Sequence, residues 1–335
     1  MAYASANPAN KYLIKLAGGT FTLVLASKIL AVPGNVTLRG IGKYMTTIIG
    51  ISLAGEMQKI MTVGDGGTIE DLSLIVPPPV AGTIDATELP YYCVVQNESN
   101  TTFKRVSLTW QGGTERGYMT LGFLSYPPLV DSPSTPSGIT FEDCDVELVG
   151  DETAYPITRG LSGFYAFNRG NNLYVQPEKP IVFRRCTASV PGATSFMTGI
   201  TSIPYTYVDG LTASRLHQAI FISSGGAGFM LGPVIRNVTI DARNTTIRAD
   251  GVFVYPSGSG EYVGTVIDNV RWIGDASSAI NGQSIRMTGF GTCVVRRTRI
   301  TGIVIDCPNE ISGSLSLQIE GLTWSDFFVE AQLGN

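Results

Sequence analysis

One short motif recurs along the 335-residue chain and limits the possible folds more than any other feature. Each copy has two charged or turn-forming residues, then an anchor residue that is nearly always apolar, any residue, and a further apolar residue. The anchors are Val36, Leu72, Val106, Cys144, Cys186, Leu211, Val238, Val270, Thr298 and Leu322. A unit that returns about every 25 to 40 residues is typical of solenoids and related repeat architectures.

The residue two positions before the anchor alternates in charge from one copy to the next. The series is Glu70, Lys104, Glu142, Arg184, Asp209, Arg236, Asp268, Arg296 and Glu320. Neighbouring strands lie about 4.8 Å apart, so stacked like charges would repel, whereas stacked alternating charges attract. The position after it begins with Asp71, Arg105, Asp143 and Arg185 and then becomes Gly210, Asn237 and Asn269, residues that tolerate left-handed turns. The pattern predicts coils stacked in register.

Composition favours strands for these coils. Val, Ile, Thr and aromatic residues dominate the apolar runs, and only 15% of the chain is charged. The leucine-rich-repeat scaffold is absent, and a propeller blade needs longer, more regular repeats. We therefore predict an all-β fold, a single-stranded right-handed parallel β-helix (solenoid) of about ten coils.

The whole chain is expected to form one domain. Residues 1–11 are predicted to be an N-terminal cap or arm, residues 36–186 coils with long inserted loops, residues 187–324 regular coils, and residues 325–335 a C-terminal cap.

Several functional classes are disfavoured by simple counts. A net charge of −4 argues against nucleic acid as the main partner. Five cysteines without paired spacing and a single histidine, His217, fit neither a disulfide framework nor a histidine-based metal site, so no metal and no cofactor is expected. The apolar segment 12–32 is interrupted by Lys15 and Lys28, so no membrane span is predicted.

Two segments resemble the opening coil of the pectin-lyase-like right-handed parallel β-helix proteins: residues 14–21 (IKLAGGTF) and residues 32–42 (VPGNVTLRGIG). This superfamily includes pectate lyases, polygalacturonases, phage tailspikes and other virion appendages. The Asn-Thr-Asp, Asp-Asp and Gly-His-Gly signatures of polygalacturonases are missing, and His217 lies in the unrelated sequence Arg-Leu-His-Gln. The arginine motif and clustered aspartates of pectate lyases are also missing. The resemblance is thus closest in character to viral or phage tailspike and virion appendage proteins.

No catalytic residue can be assigned from the sequence. Glycoside hydrolysis needs a pair of carboxylates, but Glu142, Asp143 and Asp268 are already explained by the charge pattern. Asp241 and Asp275, which follow anchors in successive coils, remain as candidates.

Binding of a sugar chain has more support. The long N-terminal loops carry aromatic rings, which offer apolar platforms, together with amide and guanidinium groups that match hydroxyls. The glycan-binding candidates are Tyr92, Trp110, Tyr155, Tyr165, Tyr174, Arg159 and Asn171. The alternative is that these aromatic residues only anchor loops on the solenoid wall or on a neighbouring subunit.

The sequence therefore favours a structural virion component, a capsid-surface or tail appendage protein that binds host glycans through an aromatic-lined loop groove. Its expected partners are further copies of itself, with a trimer favoured, other virion proteins and a polysaccharide; its expected location is the virion or an extracellular surface. The alternatives are a tailspike-type polysaccharide hydrolase or lyase, and a bacterial surface adhesin.

Overall fold

A computed structural model gives the architecture of the chain. It describes residues 7–24, 29–51, 60–77, 91–111, 119–125, 135–148, 161–166, 178–189, 197–224, 228–243, 250–274, 284–292, 294–306, 318–320 and 323–333. All regular structure in these ranges is β-strand.

The first half of the chain forms fourteen strands: β1 (Tyr12–Lys15), β2 (Gly19–Val24), β3 (Leu30–Val32), β4 (Val36–Arg39), β5 (Thr46–Ile51), β6 (Met61–Val63), β7 (Thr68–Val76), β8 (Tyr91–Asn97), β9 (Thr102–Trp110), β10 (Met119–Ser125), β11 (Thr140–Glu142), β12 (Asp145–Leu148), β13 (Leu161–Ala166) and β14 (Ile181–Ser189). The second half forms β15 (Met197–Ser202), β16 (Thr206–Ser214), β17 (Gln218–Ser224), β18 (Phe229–Leu231), β19 (Val234–Asp241), β20 (Asp250–Gly258), β21 (Glu261–Val263), β22 (Val266–Ile273), β23 (Ile285–Thr288), β24 (Phe290–Gly291), β25 (Val294–Asp306), β26 (Gln318–Glu320) and β27 (Thr323–Leu333).

The strands form two long parallel sheets, and the chain alternates between them once per coil. Sheet A follows the path β1-β4-β7-β9-β11-β14-β16-β19-β22-β25, with β27 paired to β25. Sheet B follows β3-β6-β8-β10-β13-β15-β17-β20-β23-β26. This architecture confirms the predicted all-β parallel β-helix.

A column of left-handed residues bends each sheet A strand in its middle. Positive φ angles of 50–58° occur at Asp71, Arg105, Asp143, Arg185, Asn237 and Asn269, with glycines at positions 210 and 302 in the same column. The bend separates two walls of the solenoid, so each coil has three sides. Asn269 donates from Nδ2 to Asn237 Oδ1 at 2.7 Å, and Asn237 donates to Asp209 Oδ1 at 2.7 Å, which links successive turns.

The predicted charge column is confirmed over its central part and wrong at its C-terminal end. Strand register stacks Glu70, Lys104, Glu142, Arg184, Asp209, Arg236 and Asp268 in the predicted order. Arg39 pairs with Glu70 and extends the alternation toward the N-terminus, which shifts the first anchor away from Val36.

Beyond Asp268 the next member is Thr301, not Arg296. Arg296 pairs with Val263 at a different corner, and Glu320 lies in sheet B, paired with Thr288. The motif around Thr298 is misleading because Arg297 also has a positive φ, of 53°, so its local geometry imitates the true bend.

A ladder of phenylalanines fills the core of the N-terminal coils. Phe103, Phe141 and Phe183 stack from sheet A, with centroid separations of 5.0 and 5.2 Å. Phe123 and Phe164 stack from sheet B at 5.4 Å and meet the first set edge to face. All five rings are at most 1% exposed, so the ladder joins both sheets in one apolar column.

A column of small residues lies on the inner side of sheet B. Glycines occupy positions 122, 163, 199 and 251, and Ala219 stands between the last two. A Cβ at Gly122 would lie 2.5 Å from the Gly163 carbonyl oxygen, and a Cβ at Gly251 would lie 2.2 Å from the Ser284 carbonyl oxygen. No real Cβ tolerates such distances, so close backbone stacking requires glycine at positions 122 and 251, whereas the coil of β17 accommodates the methyl group of Ala219.

The two described free cysteines belong to the core. Cys144 and Cys186 occupy neighbouring coils and are 0% and 2% exposed. Burial raises the pKa of the Cys144 thiol to about 12 and raises the pKa of Cys186 well above its ordinary value.

We expect neither of these thiols to react with Ellman's reagent at pH 8 in the native protein, because the thiolate is the reactive species and little of it forms. Both should react after denaturation in guanidinium chloride. Peptide mapping by mass spectrometry identifies the labelled positions, and native-state labelling of Cys144 at the denatured rate would contradict its burial.

No helix in the described part of the chain is long and apolar enough to cross a membrane. The division into caps, looped coils and regular coils stays a prediction.

Candidate functional site

The outer face of sheet B carries a line of aromatic side chains that we call the aromatic platform: Tyr165, Phe221, Phe253 and Tyr255. These residues alternate along their strands with buried neighbours such as Phe164, Ile222 and Val254, so their side chains point away from the core. Strand register aligns Tyr165 with Thr201, Thr201 with Phe221 and Phe221 with Phe253. Because each coil adds about 4.8 Å, the platform runs parallel to the solenoid axis.

The C-terminal part of the platform is a compact aromatic cluster. The ring centroid of Phe253 lies 5.1 Å from that of Phe221 and 5.8 Å from that of Tyr255. Arg286, on the next coil, places its guanidinium carbon 4.6 Å from the Phe253 centroid and donates from Nε to Thr288 Oγ1 at 3.2 Å. All four side chains are half-buried, so each presents part of its surface to solvent.

A column of polar residues runs beside the platform, toward the corner where sheet A passes into sheet B. Ser162, Thr198, Gln218 and Asp250 occupy successive coils in register. Ser162 Oγ donates to Thr201 Oγ1 at 3.0 Å, and Thr198 Oγ1 donates to Gln218 Oε1 at 3.4 Å. Ser162 and Asp250 are buried, so Thr198 and Gln218 supply the hydroxyl and the amide that border the strip of rings. Polar groups beside rings match the polar rim and apolar face of a sugar.

The structure describes the side chains of two predicted glycan-binding residues, Tyr165 and Trp110. Tyr165 lies on the aromatic platform. Trp110 is a correction: it is 7% exposed at the end of β9, packed among core residues, and its ring offers no binding surface. Tyr92 lies in β8, but its side chain is outside the described part. The remaining candidates also lie outside the described residues: Tyr155, Arg159, Asn171 and Tyr174.

The catalytic candidate Asp241 is held in an ion pair. Arg243 donates from Nη2 to its Oδ2 at 2.6 Å and from Nε to its Oδ1 at 2.8 Å. These bonds from Arg243 lower the pKa of Asp241, which is the opposite of what a general acid needs. Asp275, the second candidate, lies outside the described residues.

Two acids at the bend, Glu142 and Asp143, are likewise engaged in structural ion pairs. Arg185 donates from Nη2 to Glu142 Oε1 at 2.6 Å and from Nε to Asp143 Oδ1 at 2.7 Å. Its guanidinium lowers the pKa of both carboxyls. Their structural role explains these acids without a catalytic one, as the sequence indicated.

No group of three or more His, Cys, Asp or Glu side chains suited to a metal ion occurs among the described residues. Among the described residues, the outer face of sheet B supplies rings, hydroxyls, an amide and the Arg286 guanidinium, which are binding groups.

Sequence reasoning overlooked Phe221, Phe253, Tyr255 and Arg286 as site residues. The signal was present: in the segments Ile220-Phe221-Ile222 and Val252-Phe253-Val254-Tyr255, aromatic residues alternate with aliphatic residues. Since one side of a strand faces the core, a second apolar set must face outward.

Neither a protein-family model nor a curated protein sequence matches the chain. Solved structures do match. The mannuronan C-5 epimerase AlgE6 A-module of Azotobacter vinelandii is 15% identical, with a TM-score of 0.37, over 96% of this chain and 92% of that one. PfbA, a surface adhesin of Streptococcus pneumoniae, is 10% identical, with a TM-score of 0.38, over 98% and 87%. Tailspike protein 3 of bacteriophage CBA120 is 12% identical, with a TM-score of 0.33, over 94% and 57%.

These similarities concern the path of the backbone and carry no information on activity. The all-parallel sheets and their strand register make the chain a parallel β-helix protein.

Proposed function

We propose that the protein binds a polysaccharide along the outer face of sheet B and does so as a non-enzymatic component of a virion appendage or capsid surface. The observation that carries the binding role is the aromatic platform with its bordering polar column. Rings repeat along the solenoid axis, so consecutive sugar units of an extended chain can each meet one coil.

The charge on the platform favours an acidic polysaccharide. Arg286 lies at its C-terminal end, where its guanidinium contacts the Phe253 ring and can bind a carboxylate or sulfate group. The chain thus presents a stacking surface and a cation side by side.

Replacing Phe253 or Tyr255 by alanine is expected to weaken binding about tenfold, or ~1.4 kcal/mol, because a central aromatic contact dominates the affinity of such a site. Retardation in native gels containing alginate, xanthan or dextran measures this. Tyr44→Ala serves as the matched control, since Tyr44 is 74% exposed and lies on the N-terminal coils away from the platform. Equal affinity of Phe253→Ala, Tyr255→Ala and the control would argue against the platform.

Cleavage of the polysaccharide is the alternative that the sequence left open. A reducing-end assay on the same polysaccharides distinguishes the two, and we expect no new reducing ends. Release that is abolished by Asp241→Asn or Asp275→Asn would replace the binding role with a hydrolase or lyase of the tailspike type.

The virion location and assembly with other virion proteins also belong to this proposal. They are supported by the resemblance to tailspike and appendage proteins, and capsid or tail genes beside its own gene would strengthen them. The sequence favours a trimer. The outer surface of sheet A instead suggests a dimer, which is argued from its residues below.

A further inference from the structure

An apolar stripe runs along the wall of sheet A that precedes the bend. Val182, Tyr207, Val234 and Val266 occupy successive coils on this wall, from β14 to β22. Phe229, Leu231 and Val263 continue the stripe across the corner that precedes β19 and β22, where Gly264 and Arg297 have positive φ. Tyr207 is 44% exposed, Phe229 57% and Leu231 37%. Contiguous exposed apolar side chains of this size mark an interaction surface rather than an ordinary solvated wall.

The charge column lies beside this stripe on the same wall. Arg184, Asp209, Arg236 and Asp268 follow Val182, Tyr207, Val234 and Val266 by two residues, so both rows face the same way. Arg184, Asp209 and Arg236 are exposed, and Asp268 is half-buried. A partner that covers the stripe must therefore also meet a row of alternating charges.

Because the charges in this row alternate in sign, the rows of two copies can pair with opposite charges facing each other under one type of symmetry. A two-fold axis parallel to the strands reverses the order of coils while keeping each position along the strand. When that axis passes between the β16 and β19 coils, Asp209 faces Arg236 of the second copy, and Arg184 faces Asp268 of the second copy. Every facing pair has opposite sign.

A parallel arrangement of copies has the opposite consequence. An axis along the solenoid keeps equal coils at equal heights, so contact at this row brings Arg184 against Arg184 and Asp209 against Asp209. Like charges that face each other at an interface repel and weaken the association.

The alternating row allows an axis between any two neighbouring coils, and the apolar residues select one position among these. The three most exposed members of the stripe, Tyr207, Phe229 and Leu231, all lie on the two coils that flank it. In the two-fold arrangement Tyr207 faces Val234 of the second copy, and Phe229 and Leu231 face the β16 coil of that copy. The alternating charges thus define the symmetry of the pairing, and the exposed apolar residues define the position of the two-fold axis.

We propose that this wall is the interface of a two-fold symmetric, antiparallel homodimer centred between the β16 and β19 coils. The aromatic platform on sheet B lies on another wall, so both platforms stay accessible. A C2 interface uses the same patch on both copies, which matches a single self-complementary stripe.

Sedimentation equilibrium of the full chain tests the proposal. The wild-type protein should have twice the mass of one chain. Phe229→Asp/Leu231→Asp should be monomeric, because it puts charges on the exposed apolar residues that the second copy would cover. Arg236→Asp should weaken dimerisation at least tenfold, since Asp209 would then face an aspartate. The double variant Asp209→Arg/Arg236→Asp should recover most of the affinity, because the facing pair again has opposite charges.

Arg271→Asp is the matched control for charge reversal, since Arg271 lies on the wall beyond the bend, paired with Asp306. It should leave the dimer intact, and circular dichroism confirms that every variant keeps its β-structure. A monomeric wild-type protein at 100 µM overturns the proposal. So does a mass of three chains, which would support the parallel trimer, or a double variant no better than Arg236→Asp alone.

Discussion

Replacing Phe141 by alanine is expected to lower the free energy of unfolding by about 3–5 kcal/mol, the range for deletion of a fully buried phenylalanine. Phe141 is 0% exposed and lies at the centre of the phenylalanine ladder, between Phe103 and Phe183 and edge to face with Phe123 and Phe164. Its loss leaves a cavity bordered by four rings that are themselves fixed by stacking, so little collapse can fill it.

Urea denaturation followed by circular dichroism measures the change, and an unchanged slope with denaturant shows that the transition itself is comparable. The control is Phe328→Ala, because Phe328 is 53% exposed on the last strand of sheet A. We expect the control to change stability by less than about 0.5 kcal/mol. A loss below about 1 kcal/mol for Phe141→Ala would mean that the ladder does not hold the two sheets together.

Replacing Gly251 by alanine is expected to cost about 3 kcal/mol or more, the upper end of the range for overpacking. The new methyl group would lie 2.2 Å from the Ser284 carbonyl oxygen and 2.9 Å from Ile240 Cδ1. That carbonyl accepts a 2.9 Å hydrogen bond from the Val252 N–H, so pushing it away also weakens the ladder between neighbouring coils. Relief requires the backbone to move, which is harder than a change of side-chain rotamer.

Gly42→Ala is the matched control for the glycine column. Its nearest atoms would be those of the flexible Met45 side chain, with Sδ at 3.3 Å, which can shift. The two variants are compared by their thermal unfolding midpoints and by their yield as folded protein. Equal midpoints would show that coils at Gly251 are not stacked as closely as the structure indicates.

The architecture was largely predictable because every coil of a solenoid repeats the same local structure. The same bend returns in each coil, so the residues that tolerate positive φ and the charges beside them recur in the sequence. The series from Glu70 to Asp268 was correctly ordered for this reason. Its end was wrong because the Arg296-Arg297 pair reproduces the bend's local conformation at a different corner, and local sequence does not reveal which corner a turn belongs to.

The candidate site was harder to predict because the aromatic residues of the long loops are a more obvious binding signal than those within the strands. Trp110 was assigned to a groove, yet Val106, Leu108 and Trp110 alternate along β9 and therefore share the inner face. Tyr165 was assigned to binding, and the structure aligns it with Phe221 and Phe253 through strand register. Rings that lie far apart in the sequence, on three different coils, become one surface only after the stacking of those coils is known.

The most direct test of the binding role is a crystal structure of the protein soaked with oligosaccharides from the polysaccharide that retards it most strongly. We predict sugar rings stacked on Phe221, Phe253 and Tyr255, with an acidic group at Arg286 and hydroxyls near Thr198 and Gln218. Sugar bound on either wall of sheet A, with the outer face of sheet B empty, would contradict the account.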